Sequence, residues 1–323
     1  MTVEDLKRFF SQAISGTAAV GVSARSQCQA FYSPPEIPDL RKIQEVRIRV
    51  GQPIILHIDG KECLMEMQAD SALIRELLEI FSKHSLYAYE DEIRQGYLTI
   101  EGGHRVGIAG KVVLDEATGR IRTIKDISAL TIRIAHERIG CADRVIRHLY
   151  ERQQLQNTLL ISPPGAGKTT LLRDVIRQVS DGNIYGCGRN VSVVDERSEL
   201  GACFRGVPQC DLGMRTDVMA GCPKAQGMLM MISSMAPEVL AVDEIGSVDD
   251  LNALRQVMKC GCGILATVHG DSVEDLRKKP VLNEMLEDNM FTRFVVLSGI
   301  PKPGTVTGIY KKEGDRICAI SEF

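Results

Sequence analysis

A chain of 323 residues, 44% of them hydrophobic, is long enough for two packed domains and too apolar to be disordered. The formal net charge of −3 is evenly spread, so neither half has the basic excess expected of a nucleic-acid motor; no Trp and 5% aromatic residues leave few platforms for stacking bases. The start Met1-Thr2-Val3-Glu4-Asp5 lacks the order of a signal peptide, and no apolar stretch approaches the roughly 20 residues that cross a bilayer; the expected location is cytoplasmic, with no direct membrane insertion.

In chain order, Glu4 to Ile14 reads as a short amphipathic helix, and Gly16 to Pro38, rich in Ser, Gly and Pro, as a loop. Val46, Ile48 and Val50 alternate with Arg47 and Arg49, which marks a strand over Glu45 to Val50. The turn Gly51-Gln52-Pro53 leads into a second strand over Ile54 to Ile58, and Asp59-Gly60 is a hairpin signal. Leu73, Leu77, Leu78 and Phe81 share one face of a helix over Ala72 to Phe81, and a shorter helix covers Tyr87 to Gln95. Gly102-Gly103 opens another hairpin with strands near Arg105 to Leu114 and Ile121 to Ile124. Ala129 to Ile134 reads as the last strand, so residues 1–140 form a smaller α+β domain suited to docking or regulation.

From residue 141 the pattern becomes strand–helix alternation, the mark of a parallel sheet wrapped by helices, over 141–323. Strands are expected at Thr158 to Ile161, Asn190 to Val194, Val239 to Val242, Gly263 to Val268 and Arg293 to Leu297. A terminal hairpin follows near Val306 to Tyr310 and Arg316 to Ile320. The ten cysteines form no Cys-x-x-Cys and read as mostly buried small hydrophobes in a reducing compartment.

Between the first of these strands and the periodic Leu171, Leu172, Val175, Ile176 and Val179 lies Ser162-Pro163-Pro164-Gly165-Ala166-Gly167-Lys168-Thr169, a phosphate-binding loop in strand-to-helix context. Ser162 replaces the usual first glycine. Gly165 and Gly167 let backbone N–H groups turn inward at a helix N-terminus, where the dipole favours anions. Pro164, Gly165, Ala166, Gly167, Lys168, Thr169 and Thr170 are the expected ATP contacts. Lys168 would reach the β/γ-phosphates, and Thr169 with Asp243 would hold Mg²⁺. Asp243-Glu244 ends the apolar run Val239 to Val242 as a Walker B element, with Glu244 a candidate to orient or deprotonate water. A second acidic cluster holds Asp195, Glu196 and Glu199. His269 ends the run Thr267-Val268-His269, where a polar side chain can sense the γ-phosphate.

This order of Walker A, acidic box Asp195-Glu196-Arg197-Ser198-Glu199, Walker B and Ala266-Thr267-Val268-His269 resembles the type II, type IV and pilus-retraction secretion ATPases, and so a RecA-like core. More closely, Glu45 to Pro53, Gly102 to Gly107, Cys222-Pro223-Lys224-Ala225 and Ala241 to Gly246 resemble the stage III sporulation protein AA family over nearly the whole chain. The resemblance implies a mother-cell ATPase, assembled as a homo-hexamer beneath a channel to the forespore. The cytoplasmic segment of a membrane-embedded channel protein would be its partner. It also implies Glu199 as the favoured catalytic base, with Glu244 in support. Arg47, Arg49, Arg105 and Arg133 are candidates to reach a neighbour's γ-phosphate. The segment Gly213 to Met231, with Arg215, Lys224 and Gln226, is a candidate subunit interface. A nucleic-acid translocase and a non-hydrolysing nucleotide-dependent scaffold are the alternatives.

Overall fold

The computed structural model describes residues 43–58, 61–82, 89–312 and 315–318. The expected helix Glu4 to Ile14, the loop Gly16 to Pro38, the turn Asp59-Gly60 and the tips of two other expected elements (Tyr87 and Ala88; Ala319 and Ile320) lie outside these residues. The chain forms two compact units that divide between His136 and Glu137.

Unit 1 is built on an antiparallel six-stranded sheet of order β3-β2-β1-β6-β5-β4. Its strands are β1 (Ile43–Arg49), β2 (Pro53–Ile58), β3 (Lys61–Gln68), β4 (Tyr97–Ile100), β5 (His104–Leu114) and β6 (Ile121–Arg133). Alternation sends Val46, Ile48, Leu56, Val106, Leu130 and Ile132 into the core. Helix α1 (Ser71–Phe81), capped by the Asp70 side chain accepting from Leu73 N, adds Ile74, Leu77, Leu78 and Phe81. Helix α2 spans Glu90–Arg94 and ends one residue before the expected Gln95. The two strands expected over 121–124 and 129–134 are one strand, β6. Its register against β5 jumps between Ala109 and Lys111, where Asp126 takes φ 46° and bulges over Gly110. A Cβ on Gly110 would lie 2.6 Å from Lys125 O, so only glycine admits this close approach.

His104 is 2% exposed, and its Nδ1 accepts from Ala135 N at 3.0 Å. Burial, reinforced by the charge of His136, lowers its pKa from 6.5 to about 4. Between those values the unfolded chain binds the proton and the folded chain does not, so stability is full above about pH 6.5 and falls as pH drops towards 4. The loss is about 3 kcal/mol at 1.36 kcal/mol per pKa unit. His104→Asn, which keeps an acceptor for Ala135 N–H without titrating, is expected to remove that part of the acid sensitivity. Urea unfolding of both proteins at pH 7 and pH 4.5 measures it; equal acid losses would refute the assignment.

Unit 2 carries an eight-stranded sheet of order β11-β10-β12-β13-β9-β14-β15-β16. It follows the two-residue strands β7 (Tyr150–Glu151) and β8 (Gln154–Leu155). The strands β9 (Thr158–Ser162), β10 (Val191–Asp195), β11 (Thr216–Ala220), β12 (Val239–Val242), β13 (Gly263–His269) and β14 (Arg293–Ser298) run parallel; β15 (Thr305–Lys311) and β16 (Arg316–Cys318) turn back antiparallel. Leu160, Val193, Ala241, Leu265 and Val295 face one core, with α3 (Asp143–Ile146) and α4 (Lys168–Asp181). Leu159, Ile161, Val194, Leu240, Val242 and Val268 face the other. That second core is closed by α5 (Lys224–Met235), α6 (Val248–Lys259), α7 (Val273–Arg277) and α8 (Pro280–Glu287). Burial on both faces is why these strands read as continuous apolar runs. The expectation of mostly buried cysteines is corrected in part. Cys203, Cys210 and Cys262 are buried, but Cys141, Cys187 and Cys260 are exposed because they sit in loops and at a helix end.

Candidate active site

The parallel strands share a direction, so the ends of β9, β13, β12 and β10 bring Ser162, His269, Asp243 and Asp195 to one edge of the sheet. Ser162 closes β9 fully buried, and the loop turns through Gly165 at φ 72° and Gly167 at φ 91° into α4. The loop is backed by the β14–β15 connection, where Gly304 N donates to Ala166 O at 2.8 Å. A Cβ on Gly167 would stand 3.0 Å from Gly304 N, so this glycine serves both its left-handed φ and the packing.

Lys168, 6% exposed, donates through Nζ to Glu244 Oε1 at 2.9 Å. His269 Nε2 lies 2.9 Å from the same oxygen and 3.4 Å from Lys168 Nζ. Burial works against ionising Glu244, but the hydrogen bond and charge of Lys168, helped by His269, hold its carboxyl below the usual range. Thr169 Oγ1 donates to Asp243 Oδ2 at 2.8 Å, and Thr267 Oγ1 donates to Asp243 Oδ1. Thr267 Oγ1 also accepts from Glu244 N at 2.9 Å. Glu244 stands at φ 56°, a left-handed conformation that costs a non-glycine residue about 1–3 kcal/mol and persists only where its surroundings enforce it.

Next to this cluster opens a small, solvent-open cleft lined by Asp195, Glu196, Arg197, Glu199, Lys224, Asp243 and Glu244. Asp195, 2% exposed, accepts from Glu199 N and Gly201 N, both at 2.8 Å. Burial raises its pKa despite those bonds, and its geometry is that of a loop organiser. From α4, Arg173 donates to Leu200 O at 2.8 Å and Glu199 O at 2.7 Å. The backbone of Glu199 is thus gripped from the sheet and from the phosphate-loop helix, while the residue is exposed.

The sequence matches the family model described as Sporulation stage III, protein AA over residues 33–317. The chain belongs to that family. It is 42% identical over 282 residues to Stage III sporulation protein AA of Bacillus subtilis (strain 168), covering 87% of this chain and 91% of that protein. Among solved structures it is similar to the Legionella pneumophila ATPase DotB, with TM-score 0.52, 15% identity and coverage of 79% and 72% of the two chains. It is likewise similar to the pilus retraction motor PilT with bound ADP, with TM-score 0.52, 12% identity and coverage of 79% and 74%. These likenesses establish the fold, a RecA-like ATPase architecture in a mixed α/β chain.

Of the residues singled out from sequence, those of the Walker elements, the acidic box and the Thr267-Val268-His269 run gather in unit 2. Lys168, Thr169, Asp243, Glu244 and His269 form one hydrogen-bonded cluster joined through Thr267, and Glu199 lines the adjoining cleft. Sequence reasoning missed Thr267 as the hydroxyl joining Asp243 to Glu244; its place two residues before His269 at a strand end was the available signal. It also missed Arg173, for which an i, i+5 position after Lys168 gives no hint. Of the segment considered an interface, Gln226 is exposed. Arg215 is tied to Ser180 O at 2.9 Å, and Lys224 turns into the cleft.

Arg47, Arg49, Arg105 and Arg133 all belong to unit 1. Arg47 and Arg133 pair with Glu45, the latter at 3.2 Å, and Arg105 lies 3.8 Å over the Tyr97 ring. Arg49 makes no ion pair among the described residues. No helix among those residues is long and apolar enough to cross a membrane.

Proposed function

We propose that this chain is an ATP-hydrolysing motor of the secretion ATPase type that energises a sporulation channel between mother cell and forespore. The observation that carries the reading is the cluster at the C-terminal sheet edge: a buried Lys168 at a helix N-terminus, with Thr169 hydrogen-bonded to Asp243. Pro164 to Thr170 would cradle the phosphates, and Lys168 would exchange Glu244 for the more highly charged β/γ-phosphates. A hydroxyl and a carboxylate already within 2.8 Å of each other fit a Mg²⁺ site at Thr169 and Asp243. Mg²⁺ bound there would neutralise charge on the phosphates. Glu199 would take the proton of the attacking water, with Glu244 orienting it and His269 sensing the γ-phosphate.

The working form would be a homo-hexamer, peripherally attached through the cytoplasmic segment of a membrane channel protein. Unit 1 would be the docking surface. An arginine of a neighbouring chain, among Arg47, Arg49, Arg105 and Arg133, would complete the transition-state charge. The test is ATPase rate against protein concentration, with and without DNA. Specific activity is expected to rise with concentration as protomers assemble, and DNA to have no effect. Mixing Lys168→Ala protomers with protomers altered at all four arginines is expected to restore part of the activity. Flat specific activity without rescue would reject the assembled site, stimulation by DNA would favour a nucleic-acid translocase, and nucleotide binding without turnover a scaffold.

A further inference from the structure

The cleft holds a cation, Lys224, that lies outside the Walker elements and the acidic box. Lys224 is the first residue of α5, and its side chain is 19% exposed. Its Nζ donates to the backbone carbonyl of Glu244 at 2.6 Å and lies 3.5 Å from Glu196 Oε2. The base of the lysine is fixed by close packing: a Cβ on Gly227, one turn along α5, would stand 2.6 Å from Val194 Cγ1 of β10. Gly227 therefore seats the first turn of α5 directly on the Val194 side chain, and Lys224 reaches the Glu244 carbonyl from there.

The peptide it meets is the strained one. Glu244 is held on its N–H side by Thr267 Oγ1 and on its carbonyl side by Lys224, and the next residue is pinned by Ile245 N donating to Thr267 O at 2.9 Å. A left-handed glutamate needs such bonds on both sides to stay in place. Holding that peptide directs the carboxylate to Lys168 and His269. We propose that Lys224 is a positioning residue of the active site, which locks the Glu244 peptide in its left-handed conformation and so sets where the Glu244 carboxylate stands. The proposal deepens the ATPase reading and rests on it for its effect on rate, while its geometric content is independent of turnover.

The experiment is a crystal structure of Lys224→Met together with steady-state ATPase kinetics of Lys224→Met, Lys224→Arg and Lys224→Met/Glu244→Gln. In Lys224→Met, Glu244 is expected to leave positive φ and the 2.9 Å contact between Lys168 and Glu244 to open. kcat should fall about tenfold, equivalent to about 1.4 kcal/mol of barrier, with KM for ATP unchanged. Lys224→Arg, which can still donate to the carbonyl, should recover most of the rate. The double variant should be no slower than Glu244→Gln alone, because the group being positioned is gone. An unaltered Glu244 peptide in Lys224→Met, or additive losses in the double variant, would overturn the proposal. A wild-type chain without turnover would instead sink the ATPase reading, and the crystal structure would still decide the role of Lys224.

Discussion

Lys168→Ala is expected to bring ATP turnover down by about 10³-fold or more, since it removes the preorganised cation at the phosphate loop. The N–H groups of the loop and the α4 dipole remain, so nucleotide affinity should be weakened and not abolished. A second effect needs no nucleotide. In the wild-type chain Lys168 keeps the Glu244 carboxyl below its ordinary 4.5, and that linkage stabilises the fold above about pH 4.5 and fades as pH falls through the lowered value. Without Lys168 the burial of Glu244 acts unopposed by its main partner, so this contribution is lost at neutral pH and the variant should show a flatter stability profile in acid. Phosphate release, fluorescent-nucleotide titration and urea unfolding between pH 3 and 7 read the three effects. Normal turnover in the variant would refute the phosphate-loop assignment.

Glu199→Gln is expected to cost about 10²–10⁴-fold in kcat, the usual contribution of a general base, with nucleotide affinity kept. Glu244→Gln should cost less. The reason lies in the surroundings: Glu244 shares its carboxylate with Lys168, His269 and, at 3.3 Å, Arg197, and its lowered pKa makes it a poor proton acceptor. Glu199 is exposed in the cleft on a backbone braced by Asp195 and Arg173. Single-turnover rates and nucleotide titrations on both variants separate the two roles. A nearly silent Glu199→Gln beside a crippled Glu244→Gln would reverse the assignment.

The parallel strands were legible because burial on both faces leaves no polar residue to interrupt Thr158 to Ile161 or Val239 to Val242. Edge strand β11 was not: Thr216–Ala220 is only partly buried, so its residues carry no apolar run. The length of β6 was hidden for a related reason, since the bulge at Asp126 puts polar residues in the middle of a strand whose outer part has little core to face. In the site, the loop, the Walker carboxylates and His269 follow from short local patterns. The Lys168 and Glu244 pair spans 76 positions and the Lys224 contact 20, and local spacing encodes neither.

The segment just after the join of the two units is tied to the phosphate-loop helix. Buried Asp174 accepts from Ala142 N at 2.7 Å and from Arg177, Gln178 bridges to Asp143 at 2.8 Å, and Cys141 Sγ reaches Thr170 O at 3.6 Å. Asp174 lies six positions after Lys168, about 9 Å along the helix axis at its standard rise. With phosphates bound at the loop as proposed, helix α4 would be a short lever with its phosphate end at Lys168 and the incoming chain fastened partway along it. By that geometry, each ten degrees of tilt about the Lys168 end would carry Ala142 by about 1.6 Å. Stiffness of one helix, with no relay of side chains, would then be enough to turn a change at bound phosphates into a displacement of the main chain where unit 2 begins.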